Sequence, residues 1–185
     1  MVEVQQWVTR LKGNIMHAED EKQERGLRAY TPLIVIVTLT LLAALVRQHA
    51  APGGWSTMSW MHDWMGFFLV VFSMFKFFDL PGFANGFEMY DLLARRVRAY
   101  AYVYPFIELG LGLGYLSRWN PLVVYALTVA VMLFGTLGVM SALKKRLDIN
   151  CPCMGTVLKV PLSTVTLVEN VGMALMAGTM LVLSL

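Results

Sequence analysis

The two cysteines of the chain, Cys151 and Cys153, stand one residue apart in INCPCMGT, with Pro152 between them. A thiolate attacks disulfides and binds soft metals where a thiol does neither, and nearby positive charge favours its formation. Lys144, Lys145, Arg146 and Lys159 flank the pair and supply that charge. Two sulfurs at this spacing close a small, strained ring, and strained disulfides have higher potentials and exchange readily. Pro152 fixes one backbone angle and lowers the entropy lost on closure. The pattern therefore suits electron transfer better than permanent bracing. A second chemistry uses the same atoms: thiolates with a thioether select Cu(I), and Met154 adjoins Cys153 while Met140, Met173, Met176 and Met180 lie in the flanking apolar runs. Most of the thirteen methionines are nevertheless expected to pack apolar helices. Tetrahedral zinc wants about four ligands, and the only histidines are His17, His49 and His62.

The elements that must position this pair are apolar. The chain has 185 residues, 57% hydrophobic and 15% charged, with a mean hydropathy of +0.60. Five runs approach the roughly 20 residues needed to cross hydrocarbon: 29–46, 62–78, 99–116, 121–143 and 163–185. Without the alternating pattern of barrel strands, each must be a helix, because a bilayer offers no partner for an unpaired backbone group. The first 28 residues are charged and mixed, which predicts no cleavable signal. Within them Val4, Trp7, Val8, Leu11 and Ile15 recur at helical spacing, the pattern of an amphipathic helix on the membrane surface. The expected organisation is an interfacial segment over 1–28, an extra first span over 29–46, and a four-helix unit over 62–185.

Basic residues orient the bundle. Arg10, Lys12, Lys22, Arg25 and Arg28, then Arg95, Arg96 and Arg98, then Lys144, Lys145, Arg146 and Lys159 occupy alternate connections, whereas the opposite ones hold Arg47 and Arg118. The positive-inside rule puts the N-terminus and the cysteine turn in the cytoplasm and the C-terminus outside, in a bacterial inner membrane. Trp55, Trp60, Trp64 and Trp119 gather toward the outer boundary, as amphipathic rings do. A reducing compartment argues against a structural disulfide and for a reactive or metal-binding pair. His49 and His62 flank the outer connection and read as solvated interface residues. Asp63 reads as an acid near a helix N-terminus, and Asp79 as the end of a span before Pro81. The net charge of +3 follows from loop orientation, with no nucleic-acid surface and no phosphate loop or dinucleotide fingerprint.

Three ionisable residues inside spans need partners, since each costs about 2.5–3.5 kcal/mol at a helix centre. Counting 1.5 Å per residue from the cytoplasmic ends puts Lys76 roughly 3 Å deep, Glu169 roughly 9 Å and Glu108 roughly 14 Å. One polar pocket opening to the cytoplasm beneath the cysteines, built from Lys76, Glu108, Glu169, Asn170 and the thiols of Cys151 and Cys153, is the expectation. Lys76 can alternatively snorkel to the phosphates, Glu108 can lock two helices, and Glu169 with Asn170 can serve as helix glue. Gly110, Gly112, Gly114, Gly135 and Gly138 read as close-packing contacts.

The stretch from Ser73 to Leu116, with Lys76, Phe87, Tyr90, Pro105, Glu108 and Gly110, then CPCMG, then LSTVTLVENVGMALMA, resembles the MauE/DoxX family of redox-associated membrane proteins, especially its MauE branch. Pro152 and Met154 stand where that family more often has glycine and phenylalanine, and Glu169 where arginine is usual. The resemblance implies an all-α integral membrane bundle, four helices of it forming the family core, associated with thiol and disulfide handling. The function it points to is a thiol–disulfide redox protein supporting maturation of a disulfide-containing client or exchanging with a thioredoxin-like protein, Cys151 and Cys153 being the reacting residues. One pair on one face cannot carry electrons across the bilayer, so a quinone, another centre or a moving loop is required. The competing readings are a copper protein using Cys151, Cys153 and Met154, and an assembly factor without thiol chemistry.

Overall fold

Apolar runs that can satisfy their backbone only internally become helices, and over their described residues the five expected spans fall on helices in the computed structural model, which describes residues 31, 33–144 and 162–185. The chain divides into two units, Met1–Val35 and Ile36–Leu185, and the helix pairs lie in the second. In order come α1 (Leu33–His49), α2 (Thr57–Phe78), α3 (Leu80–Glu88), α4 (Arg98–Ser117), α5 (Pro121–Lys144) and α6 (Leu162–Ser184). No strand occurs among the described residues. By length and composition α2, α5 and the Thr166–Ser184 part of α6 are each able to cross a membrane, and α1 is a shorter apolar helix. The 20 residues of α4 extend roughly 30 Å at 1.5 Å per residue. Large apolar side chains remain exposed along the helices, among them Val103, Phe106 and Leu113 on α4, Leu133 and Leu137 on α5, and Val168 and Leu175 on α6. A lipid environment suits such faces, and the protein is an all-helical membrane bundle. The surface helix expected over 1–28 and the cysteine turn lie outside the described residues.

Helix ends follow from local chemistry. Ser56 caps α2, its hydroxyl accepting from the Ser59 N–H at 3.3 Å. Asp79 does more than end a span: its carboxylate accepts from the Gly82 N–H at 2.9 Å, so it also caps α3, with Pro81 in the first turn. The sequence reading had no α3 here. At the other end of α4, Arg118 adopts a left-handed conformation (φ 55°) and the Trp119 N–H returns to the Gly114 carbonyl at 3.1 Å, closing the helix so that Pro121 can open α5.

Two pairs dominate the packing, α2 with α4 and α5 with α6. The first closes over glycine: a Cβ on Gly112 would lie 2.9 Å from the Val70 backbone nitrogen and 3.1 Å from the Gly66 carbonyl. Similar crowding at Gly114 against Val124, at Gly135 against Asn170 and at Gly138 against Tyr90 fits the expected close contacts. Gly110 is the exception, since a Cβ there would meet nothing within 4 Å.

Candidate functional site

Lys76 occupies the last turn of α2 and Glu108 lies roughly 15 Å along α4 from Arg98. Because α2 and α4 run together over the Gly66–Gly112 crossing, both side chains face the same interior. Lys76 is 3% exposed and Glu108 2%, and Lys76 Nζ donates to Glu108 Oε2 in a buried ion pair. The snorkelling alternative is thereby corrected: the ammonium turns inward. Three rings surround it, with centroids 5.7 Å away for Phe72 and Phe83 and 5.8 Å for Tyr104. Their negative faces complement the charge and keep water off it. Pro105, on the buried face of α4 with Tyr104 and Glu108, lacks the N–H that would have met the Ala101 carbonyl, loosening the backbone beside the pair.

From the other helix pair, α6 contributes Glu169 and Asn170. Gly135 on α5 leaves room for the Asn170 amide, whose Nδ2 would stand only 3.0 Å from a Cβ at that position. Lys76, Glu108, Glu169 and Asn170 together line one cavity of about 20 Å³, with Phe83, Phe87, Tyr90, Tyr104 and Thr166 completing the wall. That space admits about one water. Glu169 Oε2 is inaccessible and, among the described residues, has no hydrogen-bond partner. One lysine therefore shares a cavity wall with two carboxyl groups, of which it pairs with Glu108, and half-buried Glu169, whose Oε2 is unpartnered among the described residues, is equipped to hold or pass a proton. Aromatic Phe83 and Tyr104 were not anticipated as site residues. Their signal in the sequence was only the density of rings between Phe72 and Tyr104.

Cys151, Cys153 and Met154 lie outside the described residues. The connection that carries them leaves α5 after Lys144 and enters α6 at Leu162, and Glu169 lies roughly 10 Å along α6 from that start. Met173 and Met180 are buried packing residues of α6. Among the described residues no group of three or more histidine or acidic side chains could hold a metal ion.

A second polar cluster forms where α1, α2 and α4 meet at the opposite end of α2. Here the sequence reading is corrected twice. His62 is buried, not solvated: Nε2 donates to the Tyr115 carbonyl at 2.6 Å, which leaves Nδ1 to accept from the Tyr125 hydroxyl at 2.8 Å. Asp63 is no helix-end acid, because α2 starts earlier, at Thr57, and its carboxylate is fully buried between Arg47 (3.4 Å) and Arg118 (3.5 Å). Arg47 also reaches the Leu116 carbonyl at 3.3 Å. The two arginines of the otherwise uncharged connections thus converge on one acid. His49 stays exposed. Trp55, Trp60 and Trp64 follow in series beside this cluster, ring centroids 6.2 Å apart at each step.

No curated protein and no solved structure matches the chain significantly. The family model of methylamine utilisation protein MauE matches residues 55–183, which takes in every member of both clusters except Arg47. A buried ion pair, a helical bundle and this match over more than half the sequence lead to one conclusion: the chain belongs to the MauE family.

Proposed function

We propose that the protein is a membrane thiol–disulfide redox protein in which Cys151 and Cys153 cycle between dithiol and disulfide beside the Lys76–Glu108–Glu169–Asn170 cavity. The observation that carries this reading is the buried Lys76–Glu108 pair with Glu169 in the same cavity wall, near the ends of α5 and α6 that the cysteine-bearing connection joins. Oxidising the dithiol releases two electrons and two protons, and the partner's disulfide takes up both to become a dithiol; within the exchange a proton leaves each attacking thiol and returns to each departing thiolate, and that transfer needs a carrier. Glu169, with its unengaged oxygen, takes up and releases a proton, while Lys76, paired with Glu108, offsets charge as the thiolate forms. The four-helix unit supports this chemistry, and its partner is a thioredoxin-like protein or a client whose disulfides it helps to form. If electrons cross the bilayer, a quinone is the chemical class able to carry them. With the cysteines in the cytoplasm, as the basic residues argue, the thioredoxin-like partner is reached first.

Anaerobic purification followed by titration against defined thiol–disulfide buffers tests the reading. A midpoint potential for one two-electron couple, lost in Cys151→Ser, is the expected result. Stoichiometric copper surviving dialysis would instead assign the cysteines, with Met154, to metal handling. Full cellular activity after replacement of both cysteines would point to an assembly role.

A further inference from the structure

The cluster at the Asp63 end holds more cationic donor capacity than its acid takes up. Arg47 Nε stands 3.4 Å from Asp63 Oδ2, Arg118 Nη2 stands 3.5 Å from Oδ1, and Arg47 Nη2 donates to the Leu116 carbonyl. Nη1 of Arg47 and both Nε and Nη1 of Arg118 have no partner among the described residues. A guanidinium presents five N–H donors in a fixed fork that matches the oxygens of a phosphate or carboxylate. Charge is left over as well. Two guanidinium groups meet one carboxylate, and His62, donating through Nε2 and accepting through Nδ1, adds none. Among the described residues no other acid pairs with either arginine, so the part-exposed edge of the cluster carries one positive charge in excess.

The backbone of Arg118 makes an independent argument. Its φ of 55° lies in the left-handed region, which glycine enters without strain and which glycine usually fills at the end of a helix. Arg47 pairs with Asp63 from a regular helix, so neutralising that acid does not require an arginine in a strained conformation. Strained residues held in place by their surroundings cluster where ligands are clamped. The surroundings here are amphipathic: Trp119 follows Arg118 and is exposed, as is Trp55 at the head of the tryptophan series. From Arg47, α1 runs back through exposed Val46, Leu42 and Leu39, spaced four and three residues apart on one face.

We infer that the exposed edge of Arg47 and Arg118 binds the phosphodiester of an anionic phospholipid, with an acyl chain along the Leu39, Leu42 and Val46 face of α1. The phosphate oxygens accept from the unpartnered guanidinium donors and neutralise the excess charge. Free phosphate has the same oxygens, but only a lipid also covers the apolar face that continues from Arg47. A headgroup with an amine of its own brings another cation to a site already in positive excess and binds more weakly. The site lies at the opposite end of α2 from Lys76 and is independent of the cysteine chemistry.

Native mass spectrometry of the full-length protein in neutral detergent tests the site, with dioleoyl phosphatidylglycerol, dioleoyl phosphatidylcholine and inorganic phosphate as probes. Phosphatidylglycerol is expected to bind roughly tenfold tighter than phosphatidylcholine, and inorganic phosphate at equal concentration is expected not to displace it. Arg118→Gly suits the left-handed backbone, so it removes the donors and keeps the turn; Arg47→Gln removes the charge from α1. Each should weaken phosphatidylglycerol binding roughly tenfold or more, the contribution of a hydrogen bond to a charged group. Exposed Arg95, before α4 at the other end of the bundle, is the control, and Arg95→Gln should leave the affinity unchanged. Equal binding of the two lipids, displacement by inorganic phosphate, wild-type affinity in either arginine variant, or an equal loss in Arg95→Gln overturns the inference.

Discussion

The two ends of α2 each bury a charge, and they treat it differently. At the Lys76 end both partners are sealed, with side chains 4% and 3% exposed. At the Asp63 end only the acid is sealed; Arg47 and Arg118 keep 39% and 50% of their side chains exposed. The half-open triad leaves its cations hydrated and screened, so it resembles a clamp joining α1, α2 and α4. The closed pair is shut off from bulk water, yet it lines a small cavity together with a second acid. A clamp needs neither. Sealed charge with an unengaged acid beside it is the arrangement expected of a site that handles protons, and sealed charge with open counterions that of a fastening.

Mutations should separate the two ends. Lys76→Met leaves Glu108 buried without its cation and is expected to cost about 3–5 kcal/mol, read by unfolding in mild detergent, whereas Lys76→Met with Glu108→Leu should recover most of the loss. The crossing that aligns both ends comes next: Gly112→Ala forces a Cβ against the Val70 backbone and should cost about 1–3 kcal/mol. Gly110→Ala, two positions away with open space around it, should be neutral or stabilising by up to about 1 kcal/mol. Arg47→Ala and Arg118→Ala at the half-open end should each cost up to about 1 kcal/mol and lose that effect in high salt.

The smallest expected effect concerns Asp91. Burial in the connection between α3 and α4 raises its carboxyl above 3.8, so the folded state holds that proton more tightly than the unfolded chain does. The resulting stabilisation is complete below 3.8 and is lost as pH rises through the folded-state value. Asp91→Asn should therefore flatten the decline of the thermal midpoint between acid and neutral pH.

What the sequence made legible was whatever an apolar run makes conspicuous. Lys76, Glu108, Glu169 and Asn170 stand out because charge and amide groups are costly in a span, and helix rise alone put them at compatible depths. The direction of Lys76 was not legible, since its stem reaches inward or outward equally well; only the ring of Phe72, Phe83 and Tyr104 decides it. The short α3 was hidden because Asp79-Leu80-Pro81-Gly82 reads as a break, while the same aspartate and proline are also good helix starters. His62 was misread for want of its partners: Tyr125 lies 63 positions away, and no local pattern announces it. Asp91 fell in a connection rich in charge, where one more acid carries no signal.

The coupling of the cysteines to the closed end is the claim on which the functional account depends. The most direct measurement is the midpoint potential of Cys151 and Cys153 in the wild type and in Glu169→Gln, at several pH values. The account predicts one two-electron couple whose potential moves by roughly 30 mV or more in the variant, a tenfold change in the exchange equilibrium. An identical potential in both proteins at every pH, or thiols that no redox buffer oxidises, would contradict it.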